Sequence, residues 1–266
     1  MPVQTEKLQR RRKLAGRILF MVGLVLLGVT VVLLWLATVT DYAYHALVKD
    51  PERTAPSGPV IVAPADGVVL YVKEIRDGVI PEVVKRGVRV PVVDHLKEEP
   101  PRPIESGFLI GIFMNTHGVH VNRSPVNGVV ERQVVFNGPH MEMTSAELEV
   151  ILRQLIPGRV ALRKLFRLPP FDLEDKADFV LHSARETLIL RDERDSYVYV
   201  VRIADYYVGK ILTWVREGGP VERGEKIGMI TWGSQTDILF ESTPGTEVKV
   251  EPGDYVYAGE TVLATY

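Results

Sequence analysis

The chain has 266 residues, a formal net charge of −2 at pH 7 and no cysteine. This length suits one globular domain of about 200 residues plus an appendage. The lack of cysteine excludes disulfides, thiolate metal sites and a cysteine nucleophile. The nearly balanced charge gives no broad basic surface of the kind that binds nucleic acid, so no nucleic-acid partner is expected.

An uncharged apolar stretch near the N-terminus, residues 18–39, predicts a transmembrane helix. At about 1.5 Å per residue it reaches roughly 33 Å, which exceeds a hydrocarbon core of about 30 Å. It is longer than the apolar region of a cleaved signal peptide, about 7–15 residues, which remains the alternative. Trp35, Tyr42 and Tyr44 lie near its far end, where interfacial aromatic residues are common. The expected segments are a basic N-terminal segment over 1–17, the helix over 18–39, a linker over 40–59 and the globular domain over 60–266.

The charges on either side of this stretch bear on its orientation. Six basic residues precede it, whereas Lys49 and Arg53 follow shortly after it. The positive-inside rule then places the N-terminus in the cytoplasm and the domain outside. We expect a protein anchored in the cell membrane by this helix and leave open which side carries the domain.

Short β-like runs separated by Gly and Pro predict a β-rich domain with few helices. The runs are Val60–Val62, Val68–Val72, Phe108–Phe113, Val129–Val135, Thr187–Leu190, Tyr197–Ile203 and Lys210–Val215. One helix is predicted where the capping box Thr144–Glu147 is followed by apolar residues at helical spacing up to Leu155. The prolines between Pro91 and Pro103 predict a loop.

Two internal echoes indicate a barrel-like core. The pattern Gly-x-x-Val-x-x-Gly-Glu that starts at Gly218 recurs 35 residues later from Gly253, and Pro64–Val69 recurs 61 residues later as Pro125–Val130. Each echo is a turn followed by a strand. We therefore predict an α+β, β-rich fold with a barrel-sandwich-like core, as in biotinyl and lipoyl carrier domains. The lipoyl-like tripeptide Asp175-Lys176-Ala177 precedes the glycine-valine pattern instead of following it, which disfavours a carrier function.

Two segments carry groups that could do chemistry. Gly233-Ser234 lies between two β-like runs, a setting that by itself predicts a turn. His117 and His120 are three apart, so on a strand they point to opposite faces, and no third ligand lies nearby; no metal site is predicted. A serine becomes a nucleophile when a base takes its proton and a third group orients that base. Ser234, His120 and Asp66 could fill these roles, although their spacing does not show that they meet.

Several segments, in order, resemble the phosphatidylserine decarboxylases, pyruvoyl-dependent membrane enzymes that make phosphatidylethanolamine. The similarity runs from about Lys49 to the C-terminus. The matching segments are 49–53, the Pro-Ala-Asp-Gly segment 64–67, the histidine-bearing segment 117–125, the loosely similar 184–187, and Trp232-Gly233-Ser234, where the family cleaves itself.

The resemblance implies both a cofactor and site residues. Ser234 would attack the carbonyl of Gly233, and elimination would leave a large β chain, 1–233, and a small α chain, 234–266, capped by a pyruvoyl group. This pyruvate-derived cofactor would form an imine with the substrate amine and draw electrons from the breaking carboxylate bond. By resemblance His120 is the base, Asp66 orients it, and His117 donates a proton or positions the carboxylate. Arg123 is a candidate phosphate contact.

The implied partners are a membrane phospholipid and the protein's own small chain, in an α/β heterodimer; a homo-oligomer stays open. Gln235 departs from the family, whose members often have Thr or Arg after the serine. The family also places the domain on the inner face in many members, against the charge bias. Four alternatives remain: an archaetidylserine decarboxylase, a soluble pyruvoyl decarboxylase, a non-enzymatic membrane-tethered β-module, and a Ser-His-Asp hydrolase, for which the Gly-x-Ser-x-Gly elbow is missing.

Overall fold

The computed structural model describes residues 2–84, 88–114, 118–139, 182–204, 210–231 and 234–266, without the side chains of 2–9, 42–48, 81–84 and 88–89. The chain divides into two units, 1–46 and 47–266. The helix predicted around residues 144–155 lies outside the described residues.

The first unit consists of one long helix, α1 (Pro2–Val48). Its part from Arg10 to Asp41 is long and apolar enough to cross a membrane. The few hydroxyl groups in this part are satisfied within the helix, since the Oγ1 atoms of Thr30 and Thr40 donate to carbonyls four residues earlier. Internal satisfaction of polar groups is what a hydrocarbon environment requires. α1 is therefore a candidate membrane anchor.

The second unit is built mainly of antiparallel strands, and each predicted β-like run contains one. The elements are β1 (Val60–Val62), β2 (Gly67–Arg76), β3 (Val79–Val84), β4 (Val88–Pro91), α2 (Val92–Leu96), β5 (Ser106–Met114), β6 (Val121–Arg123), β7 (Gly128–Phe136), β8 (Arg185–Asp192), β9 (Tyr197–Ala204), β10 (Ile211–Thr213), β11 (Pro220–Val221), β12 (Lys226–Ile230), β13 (Ser234–Glu241), β14 (Glu247–Val248), β15 (Tyr255–Val256) and β16 (Val262–Thr265).

The strands form one large sheet and two small ones. The large sheet has the order β11-β7-β8-β9-β13-β5-β2-β3-β4, and β15 also pairs with β2. The small sheets have the orders β1-β16-β14 and β10-β12-β6. β13 therefore lies in the interior of the large sheet, hydrogen-bonded to β5 on one side and β9 on the other.

Two apolar clusters cover the two faces of the large sheet. On β13, Leu239 belongs to one cluster, whereas Ile238 and Phe240 belong to the other. Because successive side chains on a strand point to opposite faces, Ser234 lies on the face of Ile238 and Gln235 on the face of Leu239. The polar groups of β13 described below therefore lie on two opposite faces of this strand.

The two sequence echoes meet in space as a repeated unit. In one copy β11 pairs with β7, and in the other β15 pairs with β2. The Gly224 N–H donates to the Ser124 carbonyl at 2.8 Å, and the equivalent Gly259 N–H donates to the Ala63 carbonyl at 2.8 Å. The two glycines touch, since a Cβ on Gly259 would lie 3.1 Å from Gly224 Cα. The predicted β-rich, barrel-like core with few helices is confirmed.

The prediction of a loop between Pro91 and Pro103 is wrong at its start, where α2 forms a single helical turn. Val92, His95 and Leu96 of this turn are buried. They occupy positions i, i+3 and i+4, so they face the core together. Pro91 is tolerated before the turn because the first N–H groups of a helix have no intrahelical partner. Burial of these side chains outweighs the local proline signal.

Gly67 has no room for a side chain. A Cβ at this position would lie 2.1 Å from the carbonyl oxygen of Phe113 and 2.9 Å from a methyl carbon of Ile112. Gly67→Ala should therefore displace β5 and lower the free energy of unfolding by about 1–3 kcal/mol, as overpacked cores do. Thermal melting of the purified variant measures this loss. Gly28→Ala in α1, where a Cβ meets nothing within 4 Å and the backbone is helical, is the comparison, and an equal or larger loss there would contradict the prediction.

Candidate functional site

Ser234 is the first residue of β13 and is fully buried. Its register partners are Met114 on β5 and Ala204 on β9. The Oγ atom lies 3.4 Å from Met114 Sδ, which is a weak acceptor. The predicted turn is thus replaced at Ser234 by a strand, whose position is fixed from both sides. Gly233 lies outside the described residues.

His120 precedes β6 and is also fully buried. Its Nδ1 lies 2.9 Å from the carbonyl oxygen of Gly118. A carbonyl oxygen can only accept, so this contact places a proton on Nδ1. In the neutral ring, Nε2 is then the nitrogen that can take a proton, which is the state a general base needs.

A buried polar contact joins the segment of His120 to the strand of Ser234. Asn122 Nδ2 donates to Thr236 Oγ1 at 3.2 Å. His120 stands two residues before Asn122, and Ser234 stands two residues before Thr236. Side chains two residues apart on an extended chain point to the same face. His120 therefore lies on the same face of its segment as Asn122, and Ser234 lies on the same face of β13 as Thr236. The Asn122–Thr236 contact brings these two faces together.

Asp66 is buried in its turn, and each of its carboxylate oxygens accepts a hydrogen bond. Oδ1 accepts from the Ala258 N–H at 2.7 Å, and Oδ2 accepts from the Arg53 guanidinium at 2.7 Å. Burial raises the pKa of Asp66, and the hydrogen bonds from Ala258 and Arg53 oppose that rise. These are the partners that the structure gives Asp66, and its role in orienting His120 stays a prediction.

Comparing the two copies of the internal repeat separates two roles of the Asp66 carboxylate, which are holding its turn and pairing with Arg53. The counterpart of Asp66 in the other copy is Asn127, whose Oδ1 accepts from the Arg223 N–H at 2.8 Å. Asp66 Oδ1 makes the equivalent bond to the Ala258 N–H. One side-chain oxygen is therefore enough to hold the turn, as Asn127 shows. Asp66 adds a second oxygen with negative charge, and Arg53 binds it.

The segment that follows α1 is held against the site. Arg123 Nη2 donates to Asp50 Oδ1 at 2.8 Å and to the Pro51 carbonyl at 2.9 Å, while its Nη1 donates to the Gly224 carbonyl at 2.9 Å. Lys226 also forms an ion pair with Asp50. Both terminal nitrogens of Arg123 thus have intramolecular partners that connect β6 to this segment. A phosphate contact at Arg123 stays a prediction.

His117 lies outside the described residues, so its role also stays a prediction. Within the ranges that the structure describes, no group of three or more His, Cys, Asp or Glu side chains could hold a metal ion.

The sequence analysis missed a buried polar cluster on the other face of β13. Asp237 Oδ2 accepts from the Tyr71 hydroxyl at 2.7 Å and lies 3.0 Å from His95 Nε2, without the alignment of a hydrogen bond. Gln235 Nε2 donates to Asp237 Oδ1 at 2.6 Å and to the Tyr71 hydroxyl at 2.8 Å. Gln235 thus supports Asp237 and faces away from Ser234. A carboxylate within a β-like apolar run was the signal that could have revealed this cluster.

Arg185 supplies positive charge to the same cluster. It is 1% exposed, and its guanidinium donates to the carbonyls of Ser183 and His95 at 3.1 Å. Burial lowers the pKa of Arg185 to about 10, while the attraction of Asp237 and Tyr71 opposes that shift. The cluster fixes β13 from the face opposite to Ser234.

His95 should make the domain sensitive to acid. Burial lowers its pKa below the ordinary 6.5, and Asp237 opposes the shift. The unfolded chain takes up this proton near pH 6.5, whereas the folded domain does so only at lower pH. The free energy of unfolding should therefore fall as the pH drops below about 6.5, by up to about 1.4 kcal/mol per pH unit from this group. Urea unfolding of His95→Gln should show a smaller fall than the wild type, and equal falls would contradict the prediction.

A cavity of about 470 Å³ opens beside Ala204, the β9 neighbour of Ser234. Next to β10, a buried ion pair between Arg202 and Glu186 stabilises the wall of this cavity. Arg202 Nη1 also donates to the Leu212 carbonyl at 3.0 Å, and Thr213 Oγ1 donates to Glu186 at 2.8 Å. These bonds attach β10 to β8 and β9 next to the cavity.

Comparison with known proteins places this chain in a family. The family model described as phosphatidylserine decarboxylase matches residues 45–264. The putative archaetidylserine decarboxylase proenzyme of Methanothermobacter thermautotrophicus is 31% identical over 219 residues, which cover 82% of this chain and 78% of that protein. The phosphatidylserine decarboxylase proenzymes of Nitrobacter winogradskyi and Geobacter metallireducens are 30% and 27% identical, covering 87% and 94% of this chain and 73% and 91% of theirs. The resemblance seen in the motifs is confirmed, and the chain belongs to the phosphatidylserine decarboxylase family.

Proposed function

We propose that this protein is a self-processing decarboxylase of phosphatidylserine, and that its cofactor is a pyruvoyl group made from Ser234. The observation that carries the proposal is the placement of Ser234. It is a buried strand residue whose face is joined, through the Asn122–Thr236 contact, to the segment of His120. Membership of the phosphatidylserine decarboxylase family supports the use we propose for this pair of groups.

The first step is cleavage of the chain by its own residues. His120 Nε2 takes the proton of Ser234 Oγ, which attacks the carbonyl carbon of Gly233 so that an ester replaces the peptide bond. Loss of the Ser234 α-proton then eliminates the Gly233 carboxylate. Hydrolysis of the remaining enamine releases ammonia and leaves the pyruvoyl end on residues 234–266. A buried site suits this chemistry because water would otherwise hydrolyse the ester directly.

The second step is decarboxylation of the lipid head group. The pyruvoyl carbonyl supplies an electron sink for the carboxylate bond that breaks. We assign to His117 the protonation of the product or the positioning of the substrate carboxylate, and to Asp66 the orientation of His120. Arg123 is retained as the proposed phosphate contact.

The two chains should stay together after cleavage, as an α/β heterodimer. Residues 234–266 contribute β13 to the interior of the large sheet, and β16 lies between β1 and β14. Separation would break both sheets and expose both apolar clusters. Assembly into a homo-oligomer is not needed for this arrangement.

Intact mass measurement tests the proposal. The purified wild type should give two chains, 1–233 and 234–266, and the small chain should begin with a pyruvoyl group instead of serine. A preparation that decarboxylates phosphatidylserine while remaining one 266-residue chain would overturn the proposed cofactor.

His120→Ala should leave the chain uncut, because no base then takes the proton of Ser234 Oγ; general bases contribute about 10²–10⁴-fold. Gel analysis over time gives the rate of cleavage. Lys176→Ala, in the lipoyl-like tripeptide, is the control and should be cleaved like the wild type. Cleavage of His120→Ala at the wild-type rate would remove His120 from the base role.

Archaetidylserine is the second candidate substrate, because two relatives are named as decarboxylases of that lipid. The serine head group is the same in the ester and the ether lipid, so the reacting atoms do not distinguish them. Parallel assays with both lipids, each in the same bilayer, decide between them. A reporter fused to the C-terminus shows which side of the cell membrane carries the domain.

A further inference from the structure

The segment around β10 has an unusual outward face. Exposure alternates strictly from Lys210 to Arg216, with the even positions exposed and the odd positions half-buried. The outward side chains are therefore Lys210, Leu212, Trp214 and Arg216, which we call the β10 ridge. Leu212 is 38% exposed and Trp214 is 50% exposed. A strand face in water normally carries polar residues, whereas this one places two large apolar side chains between two cations.

The exposure of the ridge is built into the fold. Thr213, on the inward side, donates to Glu186, while Ile211 and Val215 pack on the apolar cluster that includes Ile238. The Trp214 N–H donates to the Ile227 carbonyl at 3.0 Å. The backbone of the ridge is thus attached to the domain through both its side chains and its main chain. Leu212 and Trp214 are held outward by this attachment.

The ridge borders the cavity next to the proposed active site. Lys210 and Leu212 line that cavity together with Val135, which is 59% exposed, and with Ala204. Ala204 pairs with Ser234 in the sheet. A surface in contact with the ridge would therefore lie at the mouth of the cavity.

The charges of the ridge suit an anionic lipid surface. Neither Lys210 nor Arg216 forms an ion pair with another residue in the described part of the chain, and both are exposed. Nearby, Glu217 accepts a hydrogen bond from the Gln133 N–H. Tryptophan is favoured at the interface between hydrocarbon and water, and the long stems of Lys and Arg let their charges reach lipid phosphates beside buried apolar groups.

We propose that the β10 ridge docks on a bilayer that contains anionic phospholipid. Leu212 and Trp214 enter the interface, and Lys210 and Arg216 contact phosphates on either side of them. The proposal rests on the proposed function, in which the substrate is itself an anionic lipid of that bilayer. Docking at the ridge would deliver the head group to the cavity lined by Ala204, the β9 neighbour of Ser234.

The lack of cysteine in the chain allows a direct test in the full-length protein. Leu212→Cys and Trp214→Cys are labelled separately with an environment-sensitive fluorophore, and the protein is reconstituted into nanodiscs with one copy per disc. Glu193→Cys is the matched control, because Glu193 is exposed in the turn between β8 and β9, at the opposite ends of these strands from Ala204. Lipids with nitroxide-labelled acyl chains serve as quenchers.

The proposal expects a blue shift and strong lipid quenching at positions 212 and 214, and neither at 193. Discs with phosphatidylserine should give more quenching than discs with phosphatidylcholine alone, and Lys210→Glu/Arg216→Glu should remove this difference. Equal quenching at 212, 214 and 193 overturns the proposal. A blue shift that lipid does not quench, and that grows with protein concentration, shows a second copy of the chain on the ridge and overturns it as well.

The result is separable from the proposed activity. Decarboxylation by a protein whose probes at 212 and 214 are not quenched refutes the docking while the function stands. Quenching at 212 and 214 in a protein that does not decarboxylate phosphatidylserine leaves the docking standing and refutes the function.

Discussion

Ser234→Ala should leave the protein as one uncut chain without decarboxylase activity. The substitution removes the Oγ atom that would attack the carbonyl carbon of Gly233, so no ester forms and no Gly233 carboxylate can be eliminated to make the pyruvoyl group. Loss of the nucleophile in serine enzymes lowers the rate by about 10⁶-fold, and here it also prevents formation of the cofactor. Intact mass and release of CO₂ from phosphatidylserine measure the two effects.

The control for this variant is Ser183→Ala. Ser183 is also fully buried, so the substitution removes a buried serine hydroxyl elsewhere in the same unit. It should be cleaved and should decarboxylate like the wild type. Normal cleavage of Ser234→Ala would show that another residue is the nucleophile.

Arg53→Met, in the segment that follows α1, should strongly destabilise the domain. The Arg53 and Asp66 side chains are 6% and 4% exposed, and their ion pair is 2.7 Å long. Removing Arg53 leaves the Asp66 carboxylate buried without its cation, which costs about 3–5 kcal/mol. For a domain of this size the melting temperature should fall by roughly 6–20 °C. A melting temperature equal to that of the wild type would contradict the importance of this pair.

The double variant Arg53→Met/Asp66→Asn separates the two roles considered for Asp66. Asparagine keeps the Oδ1 acceptor for the Ala258 N–H, as Asn127 does in the other copy, and no longer needs a cation. The double variant should therefore recover part of the lost stability. If it folds but is not cleaved, Asp66 acts on His120 as the resemblance implies. If it is cleaved at the wild-type rate, the contribution of Asp66 lies in its pairing with Arg53.

Local patterns in the sequence were sufficient for several features. The apolar stretch 18–39 is a run of neighbours, so its length alone indicates a span. The alternation of side chains within each β-like run predicts a strand, because a period of two residues can be read from immediate neighbours in the sequence. The repeat from Gly218 and Gly253 gives the barrel-like core, since the same turn and strand must recur in space.

Other features depended on which elements pack together. Arg53 and Asp66 are paired because the segment after α1 packs against the domain. No local sequence pattern predicts this packing. The loop predicted at the position of α2 was wrong for the same reason, because Val92, His95 and Leu96 are buried by the sheet that packs against them.

The sequence by itself determined the long apolar helix that is a candidate membrane anchor, the β-rich core and the family, through Ser234 and the motifs around His120 and Asp66. The tertiary structure decided that Gln235 faces Tyr71 and Asp237 instead of the serine, and that the Asn122–Thr236 contact joins the segment of His120 to the strand of Ser234. It also decided that Leu212 and Trp214 point outward beside the cavity. Strand periodicity is written in neighbouring residues, whereas the partners of a side chain are set by strands that are distant in the chain.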